Sequence, residues 1–126
     1  MIEVPAFGPC AETIARDGRA CVCCSAPIAG RPFGIVRRSR HGGDSPANLL
    51  TFLGAGADPL DPDDHRARVE SGIDPSDKAK GYEIATGQNP TLVPVMLFTS
   101  PGSSITAWLD DAGGYLFAPP GEEAAA

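Results

Sequence analysis

The residues in this chain best suited to chemistry are four cysteines, two histidines and a short run of arginines. Cys21 and Cys24 form a C-x-x-C pair within Cys21-Val22-Cys23-Cys24-Ser25-Ala26-Pro27-Ile28. Two thiolates at this spacing can grip one zinc ion, because the turn between them aims both sulfurs at one point. That is half of a tetrahedral site. Cys10, Cys23, His41 or Asp64 would have to complete it. The competing reading is that the pair sits as small buried hydrophobes, as free cysteine often does. Cys23 has a third reading, as an exposed reactive thiol. His65 lies among Asp61, Asp63 and Asp64 and can be read either as a metal ligand or as a surface histidine near the start of an acidic helix. Arg37-Arg38-Ser39-Arg40 is the sharpest basic feature: on a strand along a groove these guanidiniums could clamp phosphates, and otherwise they are an exposed loop.

Charge distribution qualifies the last point. The net charge is −6 over 126 residues. Residues 1–42 hold six arginines against three acids, a net of +3, whereas residues 43–126 hold four bases against 13 acids, a net of −9. Any nucleic-acid contact is therefore expected in the first third, and it must overcome the chain's own field. Three cysteines within four residues make a poor disulfide framework. No apolar run approaches the roughly 20 residues of a membrane span, and no charged-then-apolar leader opens the chain. A soluble intracellular protein is the default expectation.

The elements that must position these residues are short, as 15 glycines and 13 prolines imply. Residues 1–9 read as an extended arm and residues 11–16 as a helix ending at Gly18. Residues 34–38 read as a strand closed by the Gly42-Gly43 turn. Ser45-Pro46, Asp61-Pro62 and Asp74-Pro75 each look like a helix start, with a capping side chain before proline at the first helical position. The corresponding helices are expected over residues 47–53, from 62 to the stop at Gly72, and from 75 to Gly81. Residues 92–98, 105–109 and 115–117 are β-prone runs separated by turns, a pattern that predicts an antiparallel meander with Pro94 marking an edge strand.

Read together, the knuckle, Gly42-Gly43, Ser45-Pro46-Ala47-Asn48-Leu49-Leu50, and the segment from Asp64 to Glu70 resemble the HNH endonucleases common in bacteriophages of actinobacteria. Pro75-Ser76-Asp77-Lys78-Ala79-Lys80-Gly81, Val93-Pro94-Val95 and Leu109-Asp110-Asp111-Ala112-Gly113-Gly114-Tyr115 resemble that family's further motifs, so the likeness runs from about Arg19 to Tyr115. The resemblance implies an α+β fold with a ββα-metal (HNH-like) centre, short helices and a C-terminal antiparallel β-hairpin or meander. With it the chain divides into an arm and short helix over 1–18, an HNH-like domain over 19–72, an extension over 73–118, and a tail over 119–126 whose composition predicts disorder. In such a nuclease a strand histidine activates water, a helix histidine helps hold a divalent metal, an asparagine pins the loop carrying the base, and two cysteine pairs bind zinc. Transferred here, Asn48 is the asparagine, His65 the helix histidine, and Cys21 and Cys24 the first knuckle. Ile35 stands where the base belongs, and Leu53 and Asp64 stand at the second cysteine pair.

The expectation is a catalytically degenerate HNH relative acting as a nucleic-acid or protein-binding module. An active metal-dependent endonuclease with improvised ligands and a structural or assembly protein of a virion are the alternatives. Catalytic candidates are His65, Asn48 and His41; metal candidates are Cys21, Cys24, Cys10 and His65; nucleic-acid candidates are Arg37, Arg38 and Arg40. A structural zinc, a divalent metal if the site is active, weak non-specific DNA binding and a phage protein partner complete the expectation.

Overall fold

The computed structural model describes residues 8–40 and 42–119, so His41, the N-terminal arm to residue 7 and the tail from residue 120 lie outside the described residues. Helix α1 (Pro9–Arg16) leads into the cysteine knuckle. Strands β1 (Phe33–Arg37) and β2 (Leu49–Leu53) follow, then helices α2 (His65–Ser71) and α3 (Pro75–Ala79), then strands β3 (Val95–Ser100), β4 (Ser103–Leu109) and β5 (Tyr115–Leu116). The fold is α+β, with an antiparallel β1–β2 pair and a three-stranded antiparallel meander in the order β3-β4-β5. No helix among the described residues is long and apolar enough to cross a membrane.

Local signals explain most boundaries. Asp64 caps α2 by accepting from the Ala67 amide, and Gly72 ends it in the left-handed region at φ +69°. Asp74 caps α3 by accepting from the Ser76 amide. The Pro101-Gly102 turn joins β3 to β4, with Gly102 at φ +78°.

Three expectations are corrected. The helix expected over residues 47–53 is instead a single 3-10 turn at Pro46–Asn48 followed by β2. The proline does start a helical turn, but Leu49 to Leu53 are all buried and pair residue by residue with Arg37 to Phe33. A short continuous apolar run suits a buried strand as well as a helix, and pairing decides between them. Helix α2 starts at His65 rather than Pro62, because Asp61 turns the chain onto its own neighbours, accepting from the Asp63 amide at 2.9 Å. Strand β3 starts only after Pro94, and Leu92 belongs to a preceding 3-10 turn.

One apolar core runs through the described chain. It joins Ile14 of α1, Cys21 and Val22 of the knuckle, Phe52 of β2, Val69 of α2, Tyr82, and Val95, Leu97, Ala107 and Leu109 of the meander. Phe52 and Tyr82 meet edge to face, with ring centroids 5.2 Å apart. The knuckle itself bridges the two sheets. The Val22 amide donates to Thr51 O of β2 at 3.0 Å, and Val22 O accepts from the Phe98 amide of β3 at 2.8 Å. The Met96 amide donates to Lys80 O at 2.9 Å, so the side of β3 turned away from β4 is already engaged.

Candidate metal centre

The knuckle is built as a tight reversal. Ala20 and Pro27 pair across its base, the Cys21 amide donates to Ala26 O, and the Ser25 amide donates to Cys21 O, with Ser25 at φ +66°. This folds Cys21, Cys23 and Cys24 onto one point instead of spacing them along an extended chain. The fourth group arrives from α2. Asp64, its cap, accepts backbone hydrogens from Gly56, Ala57, Asp58 and Ala67 at 2.9–3.1 Å, which fixes the first turn and with it His65. Burial acts to raise the Asp64 pKa, but those four amides outweigh it and hold the carboxyl at about 2.

Cys21, Cys23, Cys24 and His65 thus offer four ligand atoms that all lie within 4.8 Å of one another. Cys21 Sγ is 3.4 Å from Cys23 Sγ and 3.5 Å from His65 Nδ1. A tetrahedral zinc with bonds of about 2.3 Å to sulfur and about 2.0–2.1 Å to nitrogen has ligand-to-ligand edges of about 3.8 Å and 3.6 Å. The cluster fits that ion in donor chemistry and in size. Cys21 is buried and the other three are half-buried. Comparison of the chain with family models, curated proteins and solved structures finds no match.

The thiols are prepared unequally. The hydrogen bond with Cys23 lowers the pKa of the Cys21 thiol against the opposing effect of burial, with His65 and the Leu53 and Cys23 amides adding to the pull. Cys23 is pushed up by the same bond and then by burial, and Cys24 is pushed up by burial. Binding a cation here would require the thiols to give up their protons. Arg68 interacts with the Cys23 sulfur and is held from behind by Asp77, with Nε–Oδ2 3.1 Å and Nη2–Oδ1 2.9 Å.

Of the metal candidates, Cys21, Cys24 and His65 come together. Cys10 does not join them; it lies on α1 and lines a separate groove. Asp64 is spent on capping. Cys23 joins Cys21, Cys24 and His65 as the fourth ligand of the group. Its signal was present in the compressed C-x-C-C spacing, but a one-residue spacer gives no assurance that neighbouring sulfurs converge. Arg68 carried no sequence signal at all.

A groove of about 650 Å³ is lined by Ile35, Arg37, Arg40, Arg66, Val69 and Glu70 among others. Ile35 offers it no proton acceptor. Asn48 braces the loop after β1: its Oδ1 accepts from the Ser39 amide at 2.9 Å, and its Nδ2 donates to Ser39 O and Gly43 O. A Cβ on Gly42 would come within 2.7 Å of Asn48 Nδ2, so a side chain there would displace this brace.

The arginine expectation is corrected in part. Arg38 is 0% exposed and donates to Gly81 O, Ala47 O, Pro90 O and Val93 O at 2.7–3.0 Å, so it cannot reach a phosphate. It sits in register after a strand whose alternate residues turn inward. Arg37 and Arg40 are exposed, the first paired with Asp44 at 2.7 Å and the second donating to Glu70 O.

Proposed function

We propose that this chain is an HNH-like module stapled by a structural zinc, which has given up phosphodiester cleavage and acts by binding. The carrying observation is the closed four-ligand group of Cys21, Cys23, Cys24 and His65. Four protein ligands leave no open position for a substrate or an activated water, which is the mark of a structural site. The same arrangement commits to zinc the one described histidine that the HNH pattern would use at a catalytic metal.

The order of two antiparallel strands and a helix, with Asn48 bracing the loop that leaves β1, supports the HNH-like part of the reading. Ile35 at the base position supports loss of cleavage, since geometry is the first requirement of a general base. Non-specific contact with duplex DNA through Arg37 and Arg40 is the proposed binding mode. A virion-assembly role by strand addition to β3 has less support, because the Met96 and Phe98 amides on that edge are already bonded.

Elemental analysis of the purified chain should find about one zinc per molecule, and a strong chelator should release it and lower the melting temperature. A plasmid-nicking assay with magnesium, manganese or zinc should show no cleavage. A zinc-free protein that melts unchanged with chelator would sink the metal centre. Robust nicking that disappears in His65→Ala would sink the loss of catalysis.

A further inference from the structure

We infer that Cys21 and Cys23 form a reversible disulfide under a hydroperoxide, and that the bond loosens the junction between the two sheets at Val22. Only the accompanying release of zinc rests on the metal-centre reading above.

The pair is marked out by position. Their sulfurs are 3.4 Å apart, and Cys23 is half-buried, so a small oxidant has a route to the pair. In the first step one thiolate attacks the peroxide, breaking the O–O bond and giving a sulfenic acid and hydroxide. In the second, the other thiolate attacks that sulfur, the S–S bond forms, and a second hydroxide leaves. The hydroxides take up protons from the medium. Two electrons pass from the two sulfurs to the peroxide, and a bound zinc loses two of its four ligands.

The residue between the two cysteines supplies the output. Val22 is held at both polar groups, its amide by Thr51 O of β2 and its carbonyl by the Phe98 amide of β3, with Tyr82 Oη 3.4 Å from the same carbonyl. The S–S bond closes a small ring through Val22, so the Val22 backbone must satisfy the ring as well as its two hydrogen bonds. Bond formation and the two hydrogen bonds therefore compete. Cys10 is not part of the group and serves as an internal control.

The test treats the full chain, zinc-loaded and metal-free, with hydrogen peroxide. Intact mass and peptide mapping should show an intramolecular Cys21–Cys23 bridge that dithiothreitol reverses. A chromogenic chelator should report zinc release from the loaded arm in step with bridging. Amide exchange at Val22 and Phe98 should accelerate about tenfold, the loss of roughly one hydrogen bond's protection. Cys23→Ser should abolish the bridge, whereas Cys10→Ser and Cys24→Ser should keep it. A Cys21–Cys24 or intermolecular bridge, oxidation to sulfinic acid alone, or unchanged exchange at Val22 and Phe98 overturns the inference. Absence of zinc overturns the metal-centre reading alone, and the metal-free arm then decides the switch by the same bridge and exchange measurements.

Discussion

Arg38 brings a positive charge into the interior, where its hydrogen bonds go to four carbonyl oxygens on three segments. Burial first, and then the charge of Arg16, lowers it to about 10, so it stays charged at neutral pH. Arg38→Met should leave buried acceptors unmet and cost about 3 kcal/mol or more. Arg38→Lys should recover little, because one ammonium cannot fork toward four separated carbonyls. Urea unfolding is the measurement, and a lysine variant within about 0.5 kcal/mol of the parent would contradict this role. Asp64 makes the complementary pH prediction. Its folded-state value of about 2 lies below the ordinary 3.8, so the folded state favours its charged form. That stabilisation is present above about pH 4 and is lost as pH falls through about 2. In metal-free protein, Asp64→Asn should flatten the acid limb of melting temperature against pH; a limb of unchanged steepness would refute the assignment.

At the scale of elements, the join between α3 and β3 depends on one glycine. Gly81 has φ +80°, and an added Cβ would run into the Pro94 carbonyl oxygen and come within 3.0 Å of Val95 Cα. These are backbone atoms and cannot swing aside. Gly81→Ala should therefore cost about 2–4 kcal/mol, from the left-handed conformation and the overpacking together. A melting temperature equal to the parent's would show that the join can slide. The glycine was legible as a helix stop, but its second duty against β3 was not, since Pro94 is distant in sequence. The capped start of α3 was legible because a cap acts within one turn, whereas the Asp61-Pro62 signal placed the start of α2 three residues too early. The helix expected over residues 47–53 failed because nothing in five buried residues, four of them apolar, reveals the strand they will pair with.

At the scale of the whole molecule, the proposed DNA contact is weaker than the arginine run suggests. With Arg38 buried, Arg37 and Arg40 remain, and each already has an acceptor. Each phosphate neutralised contributes about −0.9 to the slope of log K against log salt, so the slope should lie near −1 to −2. The Arg37→Ala/Arg40→Ala double variant should lose this binding without losing stability. Equal binding by parent and variant, or none at about 20 mM salt, would remove DNA from the proposal.

The sequence by itself determined the mixture of short helices and strands, the Asp74 cap, the C-terminal meander, and the presence of a thiol knuckle, because these follow from residue type over a few neighbours. It also fixed the charge asymmetry between the two parts of the chain. Only the tertiary structure decided that Cys23 and His65 complete the group while Cys10 and Asp64 do not, and that Arg38 turns inward. Those outcomes depend on which distant segments meet: α2 against the knuckle, and β1's end against residues 81–93. Ligand convergence and burial are properties of such meetings, and spacing along one chain does not encode them.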